Sequence, residues 1–289
     1  MLRRVAALLT LLLLTRPTLA QLAIEGLDKD DLALLTHAAR EVDTLHFDTS
    51  LDVAGDPGVT DGLALDGPGA IGADDAGRPL VMLELDGLYN PGGADEAPLM
   101  VRLRLVDDNL YLQMSDEEPW QVFPLPAESL AAAGLVLDPG GLVGARALDF
   151  PGWLLALGLD AYSSGARADA DGRARFRIDV DLDAWLLSDR FNDLLKLVGA
   201  AAGDESLAHM GPLLAEFLQE LSLGIEAAVE LESRLLRRLV FELDVSLNAA
   251  MAGSPAESAA GSLLLILDDM SHGGSLAVSV PEHSGSAQA

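Results

Sequence analysis

The hydrophobic residues of this chain fall mostly at every second position, and three stretches break that rhythm by placing them three or four apart. Alternation turns one face of an extended strand toward a core, whereas spacings of three and four line one side of a helix. The first helical stretch follows Asp28, a candidate N-cap with Asp30 and Asp31 in the first turn. It carries Leu32, Leu35, Ala39, Val42 and Leu45, which predicts a helix over 29–44. At His46 the period changes to two: Phe47, Thr49, Leu51 and Val53 share one side, Asp48, Ser50 and Asp52 the other. Strand-like runs follow at 62–66, 79–89, 99–106, 109–114 and 120–123, with Asp107-Asp108-Asn109 suited to a tight hairpin turn.

Residues 124–152 are rich in Pro, Ala and Gly and hold one short predicted helix at 127–135, followed by an apolar piece from Trp153 to Leu159. Strands resume at 161–168 and 173–182 around the turn signal Asp169-Ala170-Asp171-Gly172. Two more helices are predicted. One spans about 189–202, capped by Ser188, with Phe191, Leu194, Leu195 and Val198 on its apolar face. The other begins near Glu205 or restarts at Pro212, carries Leu214, Phe217, Leu218 and Leu221, and stops before Gly224. Strands return at 225–232, 235–247, 261–268 and 275–280, and residues 54–78 and 252–260 read as surface loops.

An aromatic-first, alternating pattern begins at Phe47, Phe176 and Phe241. Any strand with one buried face looks like this, and an internal duplication would produce it too; the unequal spacing argues against a solenoid or propeller. About ten alternating strands with a few helices predict an α+β fold: one large curved antiparallel sheet, a half-barrel, with helices packed on its concave face. A single domain over 21–282 with a flexible tail at 283–289 accommodates them.

Composition narrows the chemistry. The chain has 289 residues with 18 Lys+Arg against 46 Asp+Glu, a formal charge of −28, and no Cys. Phosphate backbones would be repelled, which excludes nucleic-acid partners, and the absence of Cys excludes disulfides, thiol nucleophiles and thiolate metal sites. Arg3 and Arg4 precede an apolar run from Val5 to Leu14, and Thr18-Leu19-Ala20 suits cleavage after residue 20, so residues 1–20 read as a secretory signal peptide. The competing reading is a retained anchor, although the run is shorter than the roughly 20 residues that span a bilayer. Cleavage removes Arg3, Arg4 and Arg16 and no acid, leaving an exported, still more acidic monomer with no membrane span.

Catalytic signatures are missing: no G-x-S-x-G, H-E-x-x-H, G-x-G-x-x-G or G-x-x-x-x-G-K-[ST] occurs. His37, His46, His209, His272 and His283 never fall one helical turn apart, and Asp179, Asp181 and Asp183 alternate as a solvated strand face does. No catalytic residue, metal ligand or cofactor is therefore assigned. Aromatic residues make up 4%, too few for the platforms that sugar sites use.

What the chain has in quantity is aliphatic surface. Two readings stand: ordinary core, or the lining of an apolar cavity that a curved sheet and its covering helices leave open for acyl chains. In the second, Trp153, Leu157 and Trp185 join two helix walls, Phe191, Leu194, Leu195 and Val198 on one and Leu214, Phe217, Leu218 and Leu221 on the other. Val180, Leu182, Leu243 and Val245 form the floor.

Several stretches resemble the LppX/LprG-type envelope lipid-binding proteins, whose half-barrel is similar to that of the LolA/LolB lipoprotein carriers. Asp107-Asp108-Asn109-Leu110-Tyr111-Leu112 with Trp120 and Val122 resembles that family's polar turn, Tyr-containing strand and following Trp. Asp169 through Leu182 resembles its central hairpin, and Arg234–Leu243, Leu265–Met270 and Val278–Pro281 resemble its last strands. Together these cover most of 40–282. The resemblance implies a secreted, non-catalytic binder of a lipid or other apolar molecule. Family members are typically lipoproteins, and without a Cys this chain cannot be one. The other function class is a cell-surface structural or protein-interaction module with a dry core and no ligand.

Overall fold

The structure, a computed structural model, describes residues 22–40, 44–55, 62–75, 78–90, 96–107, 109–124, 148–202, 217–248, 259–282 and 285–286. In chain order the elements are α1 (Lys29–Arg40), β1 (Leu45–Gly55), β2 (Gly62–Ala73), β3 (Pro79–Asn90), β4 (Ala97–Val106), β5 (Asn109–Gln113) and β6 (Gln121–Pro124). There follow α2 (Phe150–Leu157), a 3-10 turn at Asp160–Tyr162, β7 (Ser163–Ala170), β8 (Arg173–Asp181), α3 (Leu182–Leu186) and α4 (Asp189–Ala202). β9 (Leu218–Glu230), β10 (Leu236–Leu247), β11 (Ala259–His272) and β12 (Gly285–Ser286) complete it.

The strands form one sheet in the order β12-β6-β5-β4-β3-β2-β1-β11-β10-β9-β8-β7. Two antiparallel meanders, β1 to β6 and β7 to β11, meet where β1 pairs with β11, the first strand against the last of the long ones. Only the two-residue β12 runs parallel, beside β6. The sheet does not close, since β7 ends one side and β6 with β12 the other. At the seam Thr49, Leu51 and Val53 stand opposite Leu267, Leu265 and Leu263, so the alternation of both meanders falls into phase. One face is therefore apolar across both halves. β8 shows the rule most plainly: Ala174, Phe176, Ile178 and Val180 are buried, and the residues between them are exposed.

The helices lie on that apolar face. Leu35, Ala38 and Ala39 of α1, Phe150 and Leu154 of α2, Trp185 and Leu186 of α3, and Phe191 and Leu195 of α4 share a single core cluster with Phe176, Ile225, Leu239 and Leu267. Their ends are set by side chains. The Asp28 carboxylate accepts the N–H groups of Asp30 and Asp31, while Asp31 accepts that of Asp28, a reciprocal cap. Asp149 caps α2 through the Gly152 N–H and also receives Arg40 from the last turn of α1 at 2.7 Å, which locks the two helices together. Ser188 caps α4 through the Phe191 N–H, as its position predicts.

Sheet shape depends on a few glycines. A Cβ on Gly67 would sit 1.9 Å from the Glu84 carbonyl oxygen, and one on Gly87 would sit 1.9 Å from that of Ala64. β2 and β3 thus approach more closely than any side chain permits. On the solvent face, the Arg177 guanidinium reaches Asp179, Glu226 and Glu242 across three strands, and Gly224 leaves the space it occupies.

Several expectations are corrected. Leu45 begins β1, paired with Ile71 and His272, rather than ending a helix. The loop expected over 54–78 contains the long strand β2, whose Gly67-Pro68-Gly69 is ladder backbone; Phe47 packs over Gly69, where a Cβ would lie 2.3 Å from its ring. The helix expected to run to 222 is strand from Leu218 onward. Residues 275–280 form no strand; Leu276 and Val278 lie over a satellite cluster of Leu80, Val106 and Tyr111 on the other face of the sheet. The expected signal peptide at 1–20, the helix at 127–135 and most of the loop at 252–260 lie outside the described residues. In the stretch expected as a tail, Gly285 and Ser286 line up beside Gln121 and Val122. Among the described residues the helices are few and mostly small, and α4 covers the 189–202 that the spacing predicts.

The close approach at Gly67 is testable. Gly67→Ala forces backbone against backbone and should cost about 3 kcal/mol. Gly172→Ala, in a turn with no atom within 4 Å but with φ +73, should cost only about 1 kcal/mol in the same urea titration.

Candidate functional site

The covered face divides into two zones. In the first it is sealed. Val180, Leu182, Trp185, Phe191 and Leu195 are all buried, Leu195 to 1% exposure. The Trp185 indole N–H donates to the Leu157 carbonyl at 3.1 Å, and its ring lies tilted against Phe191 at 4.7 Å between centroids. Asp181 caps α3 through the Ala184 N–H, and Asp183 accepts the Leu221 N–H at 3.0 Å, which ties this short helix to the start of β9.

In the second zone the same face is only half-covered. Trp153 of α2 stacks on Phe241 of β10, with centroids 6.1 Å apart and planes at 22°. Around this pair Leu157, Leu218, Leu221, Leu223, Leu243 and Leu265 are partly buried and pack against the core. Val245 continues the row, opposite Leu221 on one side and Gly261 on the other. A register shift between Ser246 and Leu247 leaves Gln219 unpaired, so Leu218 and Leu221 face the same way although three residues apart. Deeper in the face, the Thr49 hydroxyl is buried without a hydrogen-bond partner among the described residues.

At the strand ends beside β9, an open depression of about 480 Å³ is lined by Glu25, Ala161 to Ser164, Asp179, Val180, Asp181, Asp183, Glu220, Leu221 and Ser222. It joins two apolar residues of the covered face, Val180 and Leu221, to five carboxylates. Behind it, burial pushes the Asp160 carboxyl above its usual range, against the opposing pull of Arg190 and of backbone N–H groups, that of Ala23 first. Among the described residues no group of three or more His, Asp or Glu is placed to hold a metal ion, and no helix is long and apolar enough to cross a membrane.

The residues singled out from the sequence are thus distributed over both zones. Val180, Leu182, Trp185, Phe191 and Leu195 belong to the sealed zone. Trp153, Leu157, Leu218, Leu221, Leu243 and Val245 belong to the half-covered one. Leu182 sits at the start of α3 rather than on the floor strand. Leu218 and Leu221 are strand residues, so the second helical wall is corrected to part of the floor. Phe217 immediately precedes β9 and accepts the Asn248 N–H at its carbonyl. Leu194 and Val198 lie within α4, and Leu214 lies outside the described residues. Phe241, Leu223 and Leu265 also belong to this row: Phe241 continues the alternation that points to Leu243 and Val245, whereas the helical spacing assigned to Leu221 hid Leu223 two residues on along β9.

No protein-family model matches the chain, and no curated protein matches it. Among solved structures, the chain is similar to lipovitellin, in a structure concerned with lipid–protein interactions in lipovitellin. The identity there is 10% over 81% of this chain and 26% of that one, with a TM-score of 0.34. The chain therefore spans about a quarter of that protein. A DUF1329 family protein from Desulfovibrio piger is 8% identical over 85% of this chain and 92% of its own, with a TM-score of 0.25. A β-barrel-like protein of domain of unknown function DUF1849 from Brucella abortus is 6% identical over 79% and 99%, with a TM-score of 0.18.

Two measurements probe the zones. Leu195→Trp, in the sealed zone, should destabilise the protein by about 1–3 kcal/mol through overpacking, whereas the same change at Leu243 should cost less than about 1 kcal/mol in a denaturant titration. The raised carboxyl of Asp160 gives a pH signature. Its charged form is disfavoured in the folded state, so the native contribution of the acid form holds at low pH and is lost as pH rises through the raised value. Asp160→Asn should therefore stabilise the protein at neutral pH, and the gain should vanish near pH 3, read as denaturant midpoints at both.

Proposed function

We propose that the protein is a non-catalytic, extracytoplasmic binding protein for a lipid or another apolar ligand, acting as a monomer. The observation that carries this reading is the half-covered zone, where Trp153 and Phe241 stack amid partly buried Leu221, Leu223, Leu243 and Leu265 on a single sheet face. Each methylene of an acyl chain moved from water onto such a face gains about 0.8 kcal/mol, and flexible leucines adapt to a chain of no fixed shape. The sheet is proposed to curve as a half-barrel around this zone, with the helices on its concave side. The sequence resemblance to LppX/LprG-type carriers supports the same reading, and the amino-terminal leader supports export.

A second reading draws on the sealed zone. Leu195 and Phe191 are packed as in any dry core, which favours a structural or interaction module that holds no ligand. Native mass spectrometry of protein purified without detergent separates the two. A carrier should show a co-purifying apolar mass or take up an added long-chain alcohol; a module should remain at its apo mass. Leu218→Trp, at the rim of the half-covered zone, should abolish uptake while shifting stability by less than about 1 kcal/mol. A loss of stability with uptake unchanged would reject this location.

A further inference from the structure

We propose that Thr49 selects the ligand of this site by hydrogen-bonding an uncharged oxygen function, a hydroxyl or a carbonyl, at the buried end of a long apolar chain. This inference rests on the apolar-ligand reading above and adds the chemical class of that molecule's inner end.

An unpartnered hydroxyl on the covered face carries it. Among the described residues, Thr49, Arg104, Asp160 and His272 each hold a buried polar atom with no hydrogen-bond partner. In the last three another polar atom is engaged: Arg104 donates to the Ser279 carbonyl, Asp160 accepts the Ala23 N–H, and His272 meets the Leu236 carbonyl at 2.7 Å. Thr49 has a single side-chain polar atom, and the residue is only 5% exposed. By the alternation of β1 it faces the covered side, between Phe47 and Leu51 on its own strand, with Leu267 opposite on β11 and Gly67 opposite on β2. None of these side chains brings a donor or an acceptor. Threonine is ordinary on the wet face of a strand, but here valine, of the same shape, would avoid the cost of burying an unpaired hydroxyl.

Its place in the register ties this hydroxyl to the half-covered zone. Along β1 and β11 the inward residues are partly buried up to Leu51 and Leu265, and the next pair, Thr49 with Leu267, is buried. Leu265 in turn stands opposite Phe241, the residue on which Trp153 stacks. Thr49 therefore marks the point where half-covered ground gives way to sealed core, about 20 Å along β1 from Gly55 at the strand's end. A chain laid over Val53 and Leu51 would bring its leading end to this hydroxyl once the half-buried Leu51 and Leu265 move aside. A charged end would lose its water among side chains that carry no charge, so an uncharged oxygen is the group that fits. The hydroxyl both donates and accepts, so an alcohol or a carbonyl satisfies it.

The test uses the full-length protein and displacement of an uncharged fluorescent apolar probe by a 1-alkanol and by the 1-chloroalkane of equal chain length, which forms no comparable hydrogen bond. The alkanol should bind about tenfold more tightly than the chloroalkane. Thr49→Val should bring the alkanol down to the level of the chloroalkane and leave the chloroalkane unchanged. Thr49→Ser, which keeps the hydroxyl, should preserve the preference. Thr49→Val also removes a buried unpaired group, so its denaturant midpoint without ligand should be no lower than that of the unsubstituted protein. A lower midpoint would mean that the hydroxyl is bonded within the fold, and would overturn the inference. Equal affinities for the two competitors, or a preference that survives in Thr49→Val, would overturn it too, while leaving the apolar-ligand reading in place. Failure of both competitors to displace the probe, or of the probe to bind, would overturn that reading and this inference with it.

Discussion

The pairing of β1 with β11 is the interaction on which everything else depends. Each meander alone has a hydrophobic face, but a face is useful as a core or a site only where it is wide enough to hold a layer of helices. The seam supplies that width by setting Thr49, Leu51 and Val53 beside Leu267, Leu265 and Leu263. A slip of one residue there would turn one half's apolar face toward water. The shift between His46 and Asp48 absorbs an irregularity at the end of the seam, so its length stays in phase.

Cover and exposure then follow from helix size. The described helices are short, and α1 with α2 is fastened over one region by the Arg40–Asp149 pair and by the closely packed Ala38 and Ala39. α3 adds a single turn anchored through Asp183 to β9. The strand ends near Leu221 and Val245 are only partly buried. Ion pairs such as Arg237 with Glu230 and Arg238 with Asp268 stand at the opposite strand ends.

Where the sequence misled, the cause lies in identifiable residues. Most strands were legible because one face is buried and one is wet, and β8 is the plainest case. Leu218 and Leu221 read as helix because their spacing of three matches a helical turn. The unpaired Gln219 produces the same facing on a strand, and periodicity cannot distinguish the two. Gly67-Pro68-Gly69 read as a loop because a glycine's part in close strand approach is invisible without its neighbours, here Glu84 and Phe47. Leu276 and Val278 alternate as a strand does, yet they cover the satellite cluster without joining the ladder. Within the candidate site, side-chain types were readable residue by residue, but the division into sealed and half-covered zones was not. That division depends on where the helices stop.

The seam also dictates the order of assembly. β1 is made near the start of the chain and its partner β11 near the end, so through most of synthesis the first strand stands as an unpaired edge with Phe47 and Leu51 unshielded. The amino-terminal meander can zip up locally from hairpins, but β1 gains its second strand neighbour only when residues beyond 259 are made. The chain's many acids would help to keep the waiting, incomplete sheet from meeting another of its kind.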